Sequence, residues 1–168
     1  MTYLHARYES YPNGQLTDLG LFCLTPGNAS NPYCMAAFGG DPGPSQNLSG
    51  KPAAYAPDWS ATVNVSYTKT LPGGVQFTAD VMPYITSWYY LPGSGANGPE
   101  ELQPGYVRWD ARLSLASANG KWAFDVIGKN LSNKVILTTV ADLPLSLGSY
   151  IVGREMPRNF AGQVRYTW

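Results

Sequence analysis

Charge is what this sequence has least of. Asp, Glu, Lys and Arg make up 13% of its 168 residues, about half the share usual in soluble domains. The two signs balance at 11 residues each, and neither forms a run, which removes the electrostatic footprint of a nucleic-acid partner. No apolar stretch approaches the roughly 20 residues of a membrane-crossing helix. His5 is the single histidine and no G-x-S-x-G motif occurs, so nothing nominates a nucleophile and its base. We therefore expect no enzyme chemistry and no cofactor. Cys23 and Cys34 are the only cysteines, and two thiols with no other ligand nearby make a poor metal site. A disulfide formed in an oxidising compartment is the expectation, against the alternative of two free loop thiols. The first residues read as a strand and lack the apolar core of a signal peptide. On that reading we expect the chain to be the carboxyl-terminal part of something longer.

What is abundant is aromatic: 13% of the residues, with Tyr alone at 12. The aromatics sit in alternation, and side chains of a strand point to opposite faces in turn. In the closing stretch Phe160, Gly162, Val164, Tyr166 and Trp168 share one face, while Asn159, Ala161, Gln163, Arg165 and Thr167 share the other. The same pattern predicts strands over 1–11, 58–70, 75–90, 106–117 and from 121 onward, the last continuing to about Val140. In 58–70 the apolar set is Trp59, Ala61, Val63, Val65 and Tyr67. In 106–117 it is Val107, Trp109, Ala111, Leu113 and Leu115. Pro83 has no N–H for a ladder and predicts a bulge.

Between the strands the connections alternate in length: 12–57 long, 71–74 short, 91–105 long, 118–120 short, 141–157 long. In an up-and-down meander this gathers the short turns at one end and the long loops at the other, which is the asymmetry of outer-membrane barrels. The apolar faces also keep their largest rings near the strand ends and small residues between, as aromatic girdles do. The expected fold is all-β: an antiparallel up-and-down meander of about six strands, forming the carboxyl-terminal part of a transmembrane β-barrel. So few strands do not close a barrel, and open edges are not tolerated in hydrocarbon. The rest of the wall is thus an expected partner. The alternative is a soluble or secreted all-β binding module, a sandwich with Trp109, Leu113 and Trp122 in its core.

The segment Gly93-Ser94-Gly95-Ala96-Asn97-Gly98 matches a dinucleotide-binding pattern in letters only, because Pro99 follows instead of a helix. Arg108, Asp110 and Arg112 share a polar face, expected beside Asp125, Lys129 and Arg165 of neighbouring strands. Such a row either contacts a substrate or plug, or pairs with itself and hydrates a lumen. Trp88, Tyr89 and Tyr90 fall near the long-loop end, as contacts for a ligand arriving from outside or as part of the outer girdle.

Several segments resemble TonB-dependent outer-membrane receptors. They are Asn47 to Pro52 with Tyr55 to Ser60, Tyr106-Val107-Arg108-Trp109-Asp110-Ala111-Arg112-Leu113, Trp122 to Lys134, and Pro157-Arg158-Asn159-Phe160. The resemblance covers roughly 47–168 in order and spacing. It implies a barrel of about 22 strands closed by a plug domain, in the bacterial cell outer membrane. It implies uptake of a nutrient such as a ferric siderophore, cobalamin or sugar, driven by TonB acting through the plug. Phe160, Val164, Tyr166 and Trp168 are similar to the terminal signal read by the barrel assembly machinery, although its last position is usually Phe.

Overall fold

The computed structural model describes residues 1–91, 96–143 and 149–168. The chain opens with β1 (Thr2–Tyr3), then forms two short helices, α1 (Asp18–Leu24) and α2 (Pro32–Phe38). It continues through β2 (Trp59–Thr62), β3 (Val65–Thr70) and β4 (Gln76–Thr86), with a small ladder of β5 (Tyr89–Tyr90) and β6 (Leu102–Gln103). The remaining strands are β7 (Tyr106–Ala116), β8 (Trp122–Lys129), β9 (Leu137–Asp142), β10 (Tyr150–Arg154) and β11 (Asn159–Tyr166).

The main sheet has the order β1-β2-β4-β7-β8-β11, with β3 also paired to β4, and every pairing in it is antiparallel. Spatial order follows chain order, so the expected all-β meander is present. The two ends of the path, β1 and β11, do not pair with each other among the described residues.

Register decides what each face displays. Tyr67 lies opposite Ala79, Ala79 opposite Leu113, Leu113 opposite Val126, and Val126 opposite Gly162. Directly opposed residues share a face. One face therefore carries Trp59, Val63, Val65, Tyr67, Phe77, Val81, Trp109, Leu113, Leu115, Trp122, Phe124, Val126, Phe160, Val164 and Tyr166. The reverse face carries Asp80, Arg108, Asp110, Arg112, Asp125, Lys129, Gln163 and Arg165.

The short turns behave as their composition dictates. Gly73 and Gly74 take positive φ (81° and 77°), as does Gly120 (68°), the region glycine enters without steric cost. A Cβ on Gly74 would stand 2.8 Å from the Cβ of Ala118, so the two turns touch. They occupy one end of the sheet, with the long connections at the other.

Several expected strands are cut short. The 1–11 strand reduces to β1 and a single bridge from Arg7 to Pro52, because the chain turns away to reach the loop core. The 58–70 strand is broken between β2 and β3 without losing register: Thr62 opposes Tyr84 and Val65 opposes Val81. Pro83 causes the break. Its carbonyl accepts from the Val63 N–H at 3.2 Å, but it has no N–H to return. No bulge results, since β4 and β7 keep one register from Gln76–Ala116 to Thr86–Tyr106. The 75–90 strand leaves the sheet at Thr86, and Tyr89–Tyr90 pair with β6 instead. The strand from 121 ends at Lys129 rather than near Val140. Asn130 and Asn133 both take positive φ (50°) and fold the chain back, and Leu137–Asp142 then forms a separate hairpin with β10.

The 12–57 connection carries α1 and α2, whose short lengths left no periodicity to read. Their ends are conventional. Thr17 caps α1 by accepting from the Gly20 N–H, and Asn31 caps α2 by accepting from the Tyr33 N–H ahead of Pro32 at the first turn. Gly39, in the left-handed region, closes α2. Cys23 and Cys34 form the expected disulfide between the helices, with Cα atoms 5.6 Å apart.

Candidate functional site

Burial in the sheet is inverted. Along β8, Trp122, Phe124 and Val126 are 53%, 50% and 41% exposed, whereas Asp125 between them is 1% exposed. Trp109, Leu113, Val63 and Val164 are likewise exposed, and Asp110 is buried. The apolar face is thus uncovered by this chain, and shelter on the polar face is concentrated around Asp110 and Asp125 of the middle strands.

On the polar face the charges gather into two groups. Asp110 is approached by Arg108 at 3.5 Å and Lys129 at 3.8 Å, and its Oδ1 accepts from the Asn130 N–H at 2.8 Å. Arg108 also donates to Glu155 at 2.8 Å, and its guanidinium lies 5.7 Å from the centre of the Tyr84 ring. A cavity of about 320 Å³ is lined by Arg108, Asp110, Lys129, Asn130, Glu155 and Asn159. Toward the short turns, Arg112 donates to Asp125 at 2.8 Å. Arg165 stands opposite Ala123, on the same face and next to the Gln163–Asp125 pair.

The expected row is therefore brought together, mostly as paired charges, with donors to spare. The buried Nε of Arg108 and of Arg112, and the Oδ1 of Asp125 on the same face, have no hydrogen-bond partner among the described residues. Unsatisfied buried polar groups are costly, so this face is suited to a polar ligand or a polar protein surface that offers both acceptors and donors. Among the described residues no three His, Cys, Asp or Glu side chains are placed to share a metal ion.

The aromatic trio divides. Trp88 packs edge-on against Tyr90, with ring centres 5.8 Å apart, and lines a groove together with Trp59 and Trp109 of the apolar face. Tyr89 turns the other way, toward Tyr55 at 6.3 Å and into a hydrogen bond with the Tyr106 hydroxyl. Burial pushes the Tyr89 phenol above its ordinary value. Tyr84 and Tyr106, with centres 5.9 Å apart, complete a tyrosine cluster on the long-loop side of Arg108. Phe160, Val164 and Tyr166 project from the apolar face, and Trp168 is 97% exposed beyond it. Of the glycine-rich match at 93–98, residues 93–95 lie outside the described residues.

Glu155, Asn130 and the tyrosines at 55, 84 and 106 escaped the sequence reading. Tyr84 and Tyr106 were recoverable by carrying the register of β4 past Pro83. Asn130 was recoverable from turn chemistry, since Asn tolerates the left-handed region. Glu155 was not, because its approach to Arg108 depends on where the β9–β10 hairpin lies.

No protein-family model, curated protein or solved structure matches the chain.

Proposed function

We propose that this chain is part of the wall of a bacterial outer-membrane β-barrel of the TonB-dependent receptor type, with the Trp/Val/Leu face against acyl chains and the Arg/Asp face toward an aqueous interior. The observation that carries the reading is the inverted sheet. An apolar face spanning β2–β3, β4, β7, β8 and β11 stays exposed, whereas Asp110 and Asp125 are sheltered. Water would penalise so large an exposed apolar patch, and hydrocarbon favours it. The meander with short turns at one end and long loops at the other supports the same reading, as does the resemblance of residues 47–168.

Neither the outer edge of β3 nor that of β11 is paired by a described strand beyond it. Hydrocarbon requires those backbone groups to be satisfied, so the remainder of the barrel is the expected neighbour on each side. The polar face with its spare arginine donors then faces the plug domain or a nutrient such as a ferric siderophore, cobalamin or sugar. Transport belongs to the assembled receptor, in which TonB acts through the plug.

The test is a partition experiment. The chain refolded from urea should gain β-structure in phospholipid vesicles and have its tryptophans quenched by brominated acyl chains. A monomeric, fully folded chain in plain buffer, unquenched by brominated lipid, would sink the proposal in favour of a soluble all-β binding module.

A further inference from the structure

A cavity of about 720 Å³ lies away from the polar face. It is a groove at the long-loop end of the apolar face, within the roughly 300–1,000 Å³ range of small-molecule sites. Three of the chain's five tryptophans, Trp59, Trp88 and Trp109, line it together with Ile85 and Val107. Its rim is polar, with Asp58, Ser132 and Lys134. We propose that this groove seats one anionic, phosphate-bearing membrane lipid, its acyl chains along the indoles and its phosphate against the Lys134 ammonium. The inference rests on the lipid-facing reading above.

Charge selects the occupant. Asp58 is already held by Arg7 at 2.9 Å, with His5 at 3.8 Å. Lys134 has no carboxylate within ion-pair distance among the described residues. The free charge of the rim is therefore positive. Its position is built rather than incidental. Asn130 is 3% exposed and is anchored through its N–H to Asp110. Its side-chain amide grips Lys134 from both sides: Nδ2 donates to the Lys134 carbonyl at 2.9 Å, and Oδ1 accepts from the Lys134 N–H at 2.9 Å. Ser132 adds a bond from its hydroxyl to the Val107 carbonyl at 3.0 Å. The loop is thus fastened to β7 and β8 with the ammonium left over. Indoles beside a cation suit the zone where acyl chains meet headgroups.

The test uses the full chain folded into phosphatidylcholine vesicles doped with a small fraction of brominated lipid, either phosphatidylglycerol or phosphatidylcholine. Brominated phosphatidylglycerol should quench tryptophan fluorescence at about fivefold lower mole fraction, the factor one lysine contributes at an anionic surface. Lys134→Gln should abolish that preference while sparing the fold, because both Asn130 bonds go to the Lys134 main chain. Lys134→Arg should retain it, and so should Lys121→Gln at the short-turn end. Equal quenching by the two lipids, or a preference that survives Lys134→Gln, would overturn the lipid seat and leave the barrel reading standing. Loss of the preference in millimolar inorganic phosphate would overturn it in favour of a free-phosphate site. An absence of quenching by either lipid would remove the barrel reading, and this inference with it.

Discussion

The long-loop end and the sheet of this molecule bury opposite kinds of residue. Leu16, Leu48, Leu91, Ile136, Val140 and the two cysteines lie buried at the long-loop end, as in any water-soluble protein. The sheet buries Asp110 and Asp125 and leaves Trp109, Leu113 and Phe124 exposed. One chain cannot be optimised for water in both regions at once. The contrast is what the proposed barrel reading requires: water around the loop core, and an apolar medium around the outward face of the sheet.

That contrast can be broken most sharply at Leu113, midway along the apolar face. Leu113→Arg should cost up to about 4 kcal/mol in vesicles, whereas Gln163→Arg on the reverse face should cost little. Urea titration of folding into vesicles reads the difference, and equal costs would erase the assignment of sides. Next is the loop core. Removing the Cys23–Cys34 bridge by a double Cys→Ser change frees a short loop, worth about 3 kcal/mol by chain entropy. Hydrogen exchange should show that loss in α1 and α2 while β7 and β8 keep their protection. A cooperative loss across the sheet would show the two regions to be one unit.

A smaller effect is expected at the sheltered ion pair. Arg112→Ala leaves the Asp125 carboxylate without its 2.8 Å partner. The cost should fall below the usual value for a fully buried pair, because Arg112 itself is 40% exposed. Asp125→Asn in the Arg112→Ala background should restore part of it, as measured by the same urea titration. The smallest effect concerns Tyr89. Its phenol is raised by burial, so the folded state holds that proton more tightly than the unfolded chain. The resulting stability is complete below the ordinary tyrosine value of about 10 and is lost as pH rises through the folded value. In an absorbance titration the Tyr89→Phe chain should lack one late-ionising tyrosine, and loss of one that ionises at the ordinary value instead would place Tyr89 in water.

The strands of the sheet were legible because each faces two different environments, and that difference is written as alternation. From Tyr106 to Ala116 and from Trp122 to Lys129 the expected and observed strands agree at nearly every position. The long-loop end was not legible in this way. Its helices are too short for a period to emerge, although Asn31-Pro32 and Gly39 mark both ends of α2. The chain's turn at Asn130 was overridden in the sequence reading by the apolar residues that follow it, which pack in the loop core rather than continuing the strand.

The residues by themselves determined the meander, the identity of its two faces and the short hairpins, since alternation and glycine turn chemistry are local properties of the backbone. Tertiary structure alone decided that Glu155 reaches Arg108, that Trp88 and Tyr89 part to opposite sides, and that Lys134, with no ion-pair partner among the described residues, lies beside three indoles. Each of those depends on where one loop settles against another, and contacts between segments far apart in the chain leave no period in the sequence.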